Sequence, residues 1–162
     1  MANKTGYAAP PAPAQKEFAR ARVAIVVTRW NTGIVAALEA GARKALRDWG
    51  VAATRIDRYA VPGAYEIPLA AELIARRGKH DGVVTLGAVI RGDTPHFDFV
   101  AGECARGLQD VAMKHAFPLG FGVLTVNTAA QAASRSRPGR SNKGYEATAA
   151  MLEMLRLKRE LK

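Results

Sequence analysis

The chain has 162 residues, enough for one domain with a sizeable core, and hydrophobic residues make up 49% of it. No apolar run nears the roughly 18–20 residues that a bilayer span needs, and the opening stretch MANKTGYAAPPAPAQKEFARA lacks the continuous apolar segment of a secretory signal. The net charge of +10 invites a nucleic-acid reading, but the cations are spread and not interleaved with aromatics, so a solvated surface or a small anionic ligand accounts for them; the one cysteine, Cys104, allows no internal disulfide and fits a reducing cytoplasm.

Residues 1–21 read as a flexible or extended arm, because Pro10, Pro11 and Pro13 favour polyproline-like backbone. The part after Lys16 is expected to add an edge strand to an adjacent subunit's sheet. Residues 22–162 form the domain, with no internal repeat. Val23–Val27 is a short apolar run, as a strand buried on both faces should be. Asn31 or Thr32 can cap a helix in which Ile34, Leu38, Ala42, Ala45 and Trp49 recur at helical spacing, and Gly50 can end it in a left-handed turn. A second strand is expected over Arg55–Ala60. The helix after it tolerates Pro68 in its first turn and stops before Gly78.

Gly82–Ile90 is the clearest strand. The helix that follows carries Val100, Cys104, Leu108 and Val111 on one stripe, where Cys104 reads as inert packing. A fourth strand is expected over Phe121–Val126. Thr128-Ala-Ala-Gln131 has the form of a capping box, and a last helix runs from about Lys143 with Ala147, Met151 and Leu155 on one side. Strands alternating with helices predict a three-layer αβα domain with a four-stranded parallel sheet in flavodoxin-like order. Ligands of such sheets bind beyond the C-terminal ends of the strands.

The segments that follow each strand carry the chemistry. Trp30 can stack on a flat heterocycle, or it can be a core or interface residue. Glu66, in a Pro-Gly turn at a helix start, can be a cap or can accept hydrogen bonds from a polyol. Gly92, Asp93 and Thr94 lie where free N–H groups at a helix start make an anion site, with Gly92 allowing close approach. His96 stands beside that turn, and imidazole is the side chain best matched to proton transfer near neutrality. His80 and His115 read as surface residues. Between Ser134 and Gly144 four cations fall within nine residues, a solvated loop or a phosphate-binding one. Together these segments suggest a site for a flat heterocycle, a polyol and a phosphate.

Four stretches carry a resemblance to the lumazine synthases: Val61-Pro-Gly-Ala-Tyr-Glu-Ile-Pro-Leu69, Leu86-Gly-Ala-Val-Ile-Arg-Gly-Asp-Thr-Pro-His-Phe-Asp-Phe99, Phe121-Gly-Val-Leu-Thr125 and Asn142-Lys-Gly144. The likeness spans about Arg22 to Leu157. It implies condensation of 5-amino-6-(D-ribitylamino)uracil with 3,4-dihydroxy-2-butanone 4-phosphate to 6,7-dimethyl-8-ribityllumazine, with no metal or organic cofactor. It implies a homopentamer with sites between adjacent subunits, and no nucleic-acid or membrane partner. By position, it implies that Trp30 stacks on the pyrimidine, where the family has an aromatic residue, often Phe. Ala64, Tyr65 and Glu66 would hold the ribityl chain, and Ala88, Val89 and Ile90 would line the pyrimidine site. Gly92, Asp93 and Thr94 would bind the ketose phosphate, and His96 would be the proton-transfer residue. Phe121 would complete the pyrimidine site from the neighbouring subunit, and Arg135 would bind phosphate from there. Asn127 stands where many members have an acidic residue, and residues 137–142 depart from the pattern of shell-forming members. Two other readings are a flavin- or lumazine-binding relative without chemistry and a basic nucleic-acid-binding protein.

Overall fold

Runs of Val, Ile, Leu and Ala without polar alternation can be buried only between two layers, and the chain folds accordingly. The computed structural model describes residues 8–13 and 16–162; the expected arm's residues 1–7 and 14–15 lie outside the described residues. The elements are β1 (Val23–Thr28), α1 (Thr32–Asp48), β2 (Ile56–Val61), α2 (Ile67–Arg77), β3 (Gly82–Ile90), α3 (His96–His115), β4 (Leu119–Val126), α4 (Ala129–Arg135) and α5 (Lys143–Glu160). All strand pairs are parallel and the order is β2-β1-β3-β4, the flavodoxin-like arrangement expected.

Alternate residues of the inner strands face opposite layers. Val23, Ile25, Val27, Val84, Leu86 and Ala88 pack under α1 and α5, with Leu38, Leu46, Tyr145 and Leu152. Ala24, Val26, Val83 and Val123 pack under α2 and α3, with Ile67, Ile74, Cys104 and Leu108. Burial pushes the Cys104 thiol up to about 11, so it is a packed, unreactive group. β4 begins two residues before the expected Phe121. Gly120 lies in the ladder opposite Val84, and α5 crosses so close to it that a Cβ would meet the Ala147 carbonyl.

Gly50 and Thr128 end and start their helices by local chemistry, and Asn31 does not. Gly50 (φ 81) closes α1, and Val51 N–H donates to Leu46 O at 2.9 Å. Thr128 Oγ1 caps α4 by accepting from Gln131 N–H at 3.2 Å, while Gln131 Oε1 accepts from Asn127 N–H, one residue before the cap itself. Asn31 occupies the α1 cap position but makes no capping bond. It adopts a left-handed φ of 56 and its side chain donates instead to Ala88 O on β3.

Residues 16–21 depart from the expected extended arm and edge strand. Residues 17–20 turn, and Phe18 is fully buried on its own chain, 5.7 Å from Trp49. Arg156 pairs with Glu17 at 2.8 Å and lies over Trp49, and Arg159 lies over Phe18. Burying an aromatic between a tryptophan and two guanidinium planes outweighs extension.

His80 also departs from expectation, for it is buried beneath the sheet's N-terminal end. Its Nε2 lies 2.8 Å from Asp57 Oδ2, which can only accept, so Nε2 carries the proton and Nδ1 is the buried atom without a partner. Burial holds the His80 imidazole below its ordinary value despite the Asp57 carboxylate. The Arg22 hydrogen bond, then that of His80, holds the Asp57 carboxyl at about 2. Both shifts favour the folded state at neutral pH. Stability should first fall as pH drops below 6.5, where unfolded His takes up a proton that folded His80 resists. It should fall again from 3.8 towards about 2, where Asp57 protonates. Urea midpoints measured from pH 8 to pH 3 check this, and His80→Gln should remove the first decline, while the second persists because Arg22 still holds Asp57 low.

Candidate functional site

Three chain segments leave the sheet at its C-terminal edge and build one cleft. β1 ends at Thr28, and Arg29 N–H then donates to Val61 O and Pro62 O at 3.1 and 3.3 Å, joining the first two segments. Trp30 follows, 72% exposed, so it is not a core residue of this chain. Gly63 stands beneath it. A Cβ there would lie 3.2 Å from the Trp30 ring and 3.3 Å from Glu66 Oε2, so glycine lets plate and carboxylate converge. Glu66 Oε2 accepts from Gly63 N–H at 3.0 Å, the capping role, and Oε1 has no protein partner among the described residues. The third segment leaves β3 at Ile90 and turns through residues 91–95 into α3. There Thr94 Oγ1 accepts from His96 N–H at 3.4 Å, and the His96 side chain is exposed.

The cleft is about 650 Å³, ample for a heterocycle with a polyol tail. It brings together Trp30, Ala64, Tyr65, Glu66, Ala88, Val89, Ile90, Gly92, Thr94 and His96. Asp93 lies in the turn but not on the cleft wall. Phe121 and Arg135 are not in it. They line a second hollow of about 350 Å³ against β4 and α5. Arg135 Nη1 donates to Gln131 O at 3.1 Å, and its guanidinium has no carboxylate partner among the described residues. Lys143 and Glu146, paired at 2.6 Å, share that hollow.

Sequence reasoning missed several lining residues. Thr28, Asn31, Phe97, Phe99 and Val100 belong to the first cleft, and Lys143 and Glu146 to the second. Phe99 is 68% exposed, and the pair of aromatics directly after His96 was the available signal. Thr28 Oγ1 is buried without a partner, which no sequence pattern reveals. Among the described residues no three His, Cys, Asp or Glu side chains gather as metal ligands. No helix is long and apolar enough to cross a membrane.

The cleft therefore offers an exposed aromatic plate, backbone edges of β3, a carboxylate oxygen, an amide turn and one imidazole. Matched against family models, residues 20–159 align with the family described as 6,7-dimethyl-8-ribityllumazine synthase.

Proposed function

This chain belongs to the 6,7-dimethyl-8-ribityllumazine synthase family, and we propose that it catalyses the family's condensation in the cytoplasm, as a homopentamer without cofactor. Its substrates are 5-amino-6-(D-ribitylamino)uracil and 3,4-dihydroxy-2-butanone 4-phosphate. The pyrimidine amine attacks the ketone carbonyl and water leaves, giving an imine. Proton removal from the butanone skeleton then expels phosphate, and ring closure with loss of a second water gives the lumazine.

The observation that carries this reading is that His96 shares one cleft with Trp30 and the Gly92–Thr94 turn. Trp30 stacks on the pyrimidine, whose edges meet Ala88, Val89 and Ile90. Ala64, Tyr65 and Glu66 hold the ribityl chain. Gly92, Asp93 and Thr94 bind the phosphate, chiefly through amides at the start of α3. His96 moves protons. The separate hollow holding Phe121 and Arg135 fits a site whose last wall comes from the adjacent copy. Holding two substrates together supplies much of the acceleration.

Lumazine absorbance tests the reaction; no product from these two substrates would refute it. Arg135→Ala should raise the KM for the ketose phosphate roughly 10- to 100-fold, the worth of one or two charge-assisted hydrogen bonds. Its KM for the pyrimidine should hardly change. Reassembling His96→Ala subunits with Arg135→Ala subunits should then restore activity, because some junctions regain both residues. No recovery on mixing would argue for a site within one chain. The exposed Trp30 also favours a second reading, a flavin or lumazine held without chemistry; quenching of Trp30 by riboflavin in a protein that makes no lumazine would establish it.

A further inference from the structure

At the end of β3, Arg91 touches both β4 and α3. Its N–H donates to Val126 O at 2.9 Å, carrying the ladder one residue past Ile90. Its Nε donates to Asn127 Oδ1 at 3.1 Å, just beyond β4. Its Nη2 donates to Asp98 Oδ1 at 3.3 Å, in the first turn of α3. The guanidinium lies 4.3 Å from the centroid of the Phe97 ring, and Phe97 lines the cleft. One side chain thus bridges the turn of residues 92–95, from the strand end that precedes it to the helix that follows.

Charge gives this bridge a consequence. A carboxylate in the first turn of a helix is drawn to the free N–H groups there, so it competes with any anion for them. Asp98 is such a carboxylate, and Asp93 adds a second negative charge within the turn. Arg91 draws Asp98 into an ion pair at 3.3 Å and offsets its charge. We propose that Arg91 is a positioning residue: by pairing with Asp98 and stacking on Phe97, it keeps the amide end of α3 open to a phosphate ester and holds the helix turn that bears His96. This rests on the phosphate reading of the Gly92–Thr94 turn given above.

The test uses the full-length assembled protein, with inorganic phosphate affinity by calorimetry and lumazine formation measured separately. An exposed ion pair is worth up to about fivefold, and phosphate carries nearly twice a unit charge. Arg91→Met should therefore weaken phosphate binding, and raise the KM for the ketose phosphate, by roughly three- to tenfold. The KM for the pyrimidine should move less than about twofold, since the charge that Arg91 offsets faces the phosphate and the pyrimidine is neutral. Adding Asp98→Asn to Arg91→Met should recover most of the loss. Arg91→Lys keeps the charge without the planar fork and should fall between. Failure of Asp98→Asn to rescue would mean that Arg91 meets phosphate directly or acts otherwise, and would overturn the inference. So would equal rises in both KM values, wild-type behaviour of Arg91→Met, or a wild-type protein that binds no phosphate. A protein that makes no lumazine would sink the proposed reaction, while the phosphate series still decides the role of Arg91.

Discussion

Replacing His96 with Ala is expected to lower kcat by roughly 10²- to 10³-fold, within the range that positioned proton transfer contributes. The unfolding midpoint should stay within about 0.5 kcal/mol of wild type, as for other exposed positions. The geometry separates the two effects. His96 opens α3 with its side chain in solvent, and the bond from this residue to Thr94 Oγ1 uses the backbone N–H, which Ala retains. Nothing in the core depends on the imidazole. Both KM values should therefore change little, because the proposed stacking on Trp30 and the proposed phosphate contacts of the turn do not involve the imidazole. His96→Gln, which keeps hydrogen-bonding atoms but cannot shuttle protons near neutrality, should be nearly as slow as Ala. Residual turnover reflects the two bound substrates held in register. Stopped-flow absorbance of the lumazine gives kcat directly, and a wild-type rate in the Ala variant would remove His96 from the chemistry.

The legibility of this site in the sequence followed the range of the forces that build it. β3 was legible to the residue, because a strand buried on both faces is a nearly continuous apolar run, broken here only by Thr85, whose hydroxyl donates to Gly120 O. The turn from β3 into α3 was legible because the residues that make it, Gly92 and Pro95, lie close together in the chain. What stayed hidden depends on distant partners. Asn31 sits where a helix cap belongs, yet its side chain serves a carbonyl 57 residues away. His80 lies in a polar tetrapeptide that reads as surface, and only the register of β1 with β2 and β3 brings Arg22 and Asp57 to it. The start of β4 at Leu119, two residues before the expected Phe121, takes in Gly120, which the crossing of α5 requires to be small. Phe121 and Arg135 read as lent to the cleft by a neighbouring copy, and within one chain the fold sets them in a hollow apart from His96. A sequence shows which residues suit a ligand; whether they meet within one copy is decided by topology.

Asn142→Ala should be unusually damaging for a polar loop residue, costing roughly 3 kcal/mol, the sum of a lost helix cap and buried groups left without partners. The loop around it reads as basic and solvated, but Asn142 itself is 1% exposed. Its Oδ1 accepts from Gly144 N–H at 2.8 Å and Tyr145 N–H at 3.2 Å, capping α5. Its Nδ2 donates to Ala37 O on α1 at 3.1 Å and to Ser136 O at 2.8 Å. Each polar atom of the carboxamide thus has two partners, and three helices meet on one side chain. Room for it comes from Gly41, where an added Cβ would collide with the carboxamide. Gly→Ala inside a helix normally stabilises by about 0.5–1 kcal/mol; Gly41→Ala should instead destabilise, an inversion of sign that propensity alone cannot produce. Asn142→Asp keeps the cap but turns a carboxylate towards two carbonyls, so it should not rescue. Because Ser136 directly follows Arg135, freeing its carbonyl should also loosen that guanidinium and raise the KM for the ketose phosphate in whatever fraction folds. Urea unfolding at fixed protein concentration reads the first effect and steady-state kinetics the second. An Asn142→Ala protein within about 1 kcal/mol of wild type, below the usual penalty for even one buried unpaired group, would show that water replaces all four bonds and that the junction of α1, α4 and α5 does not depend on this residue.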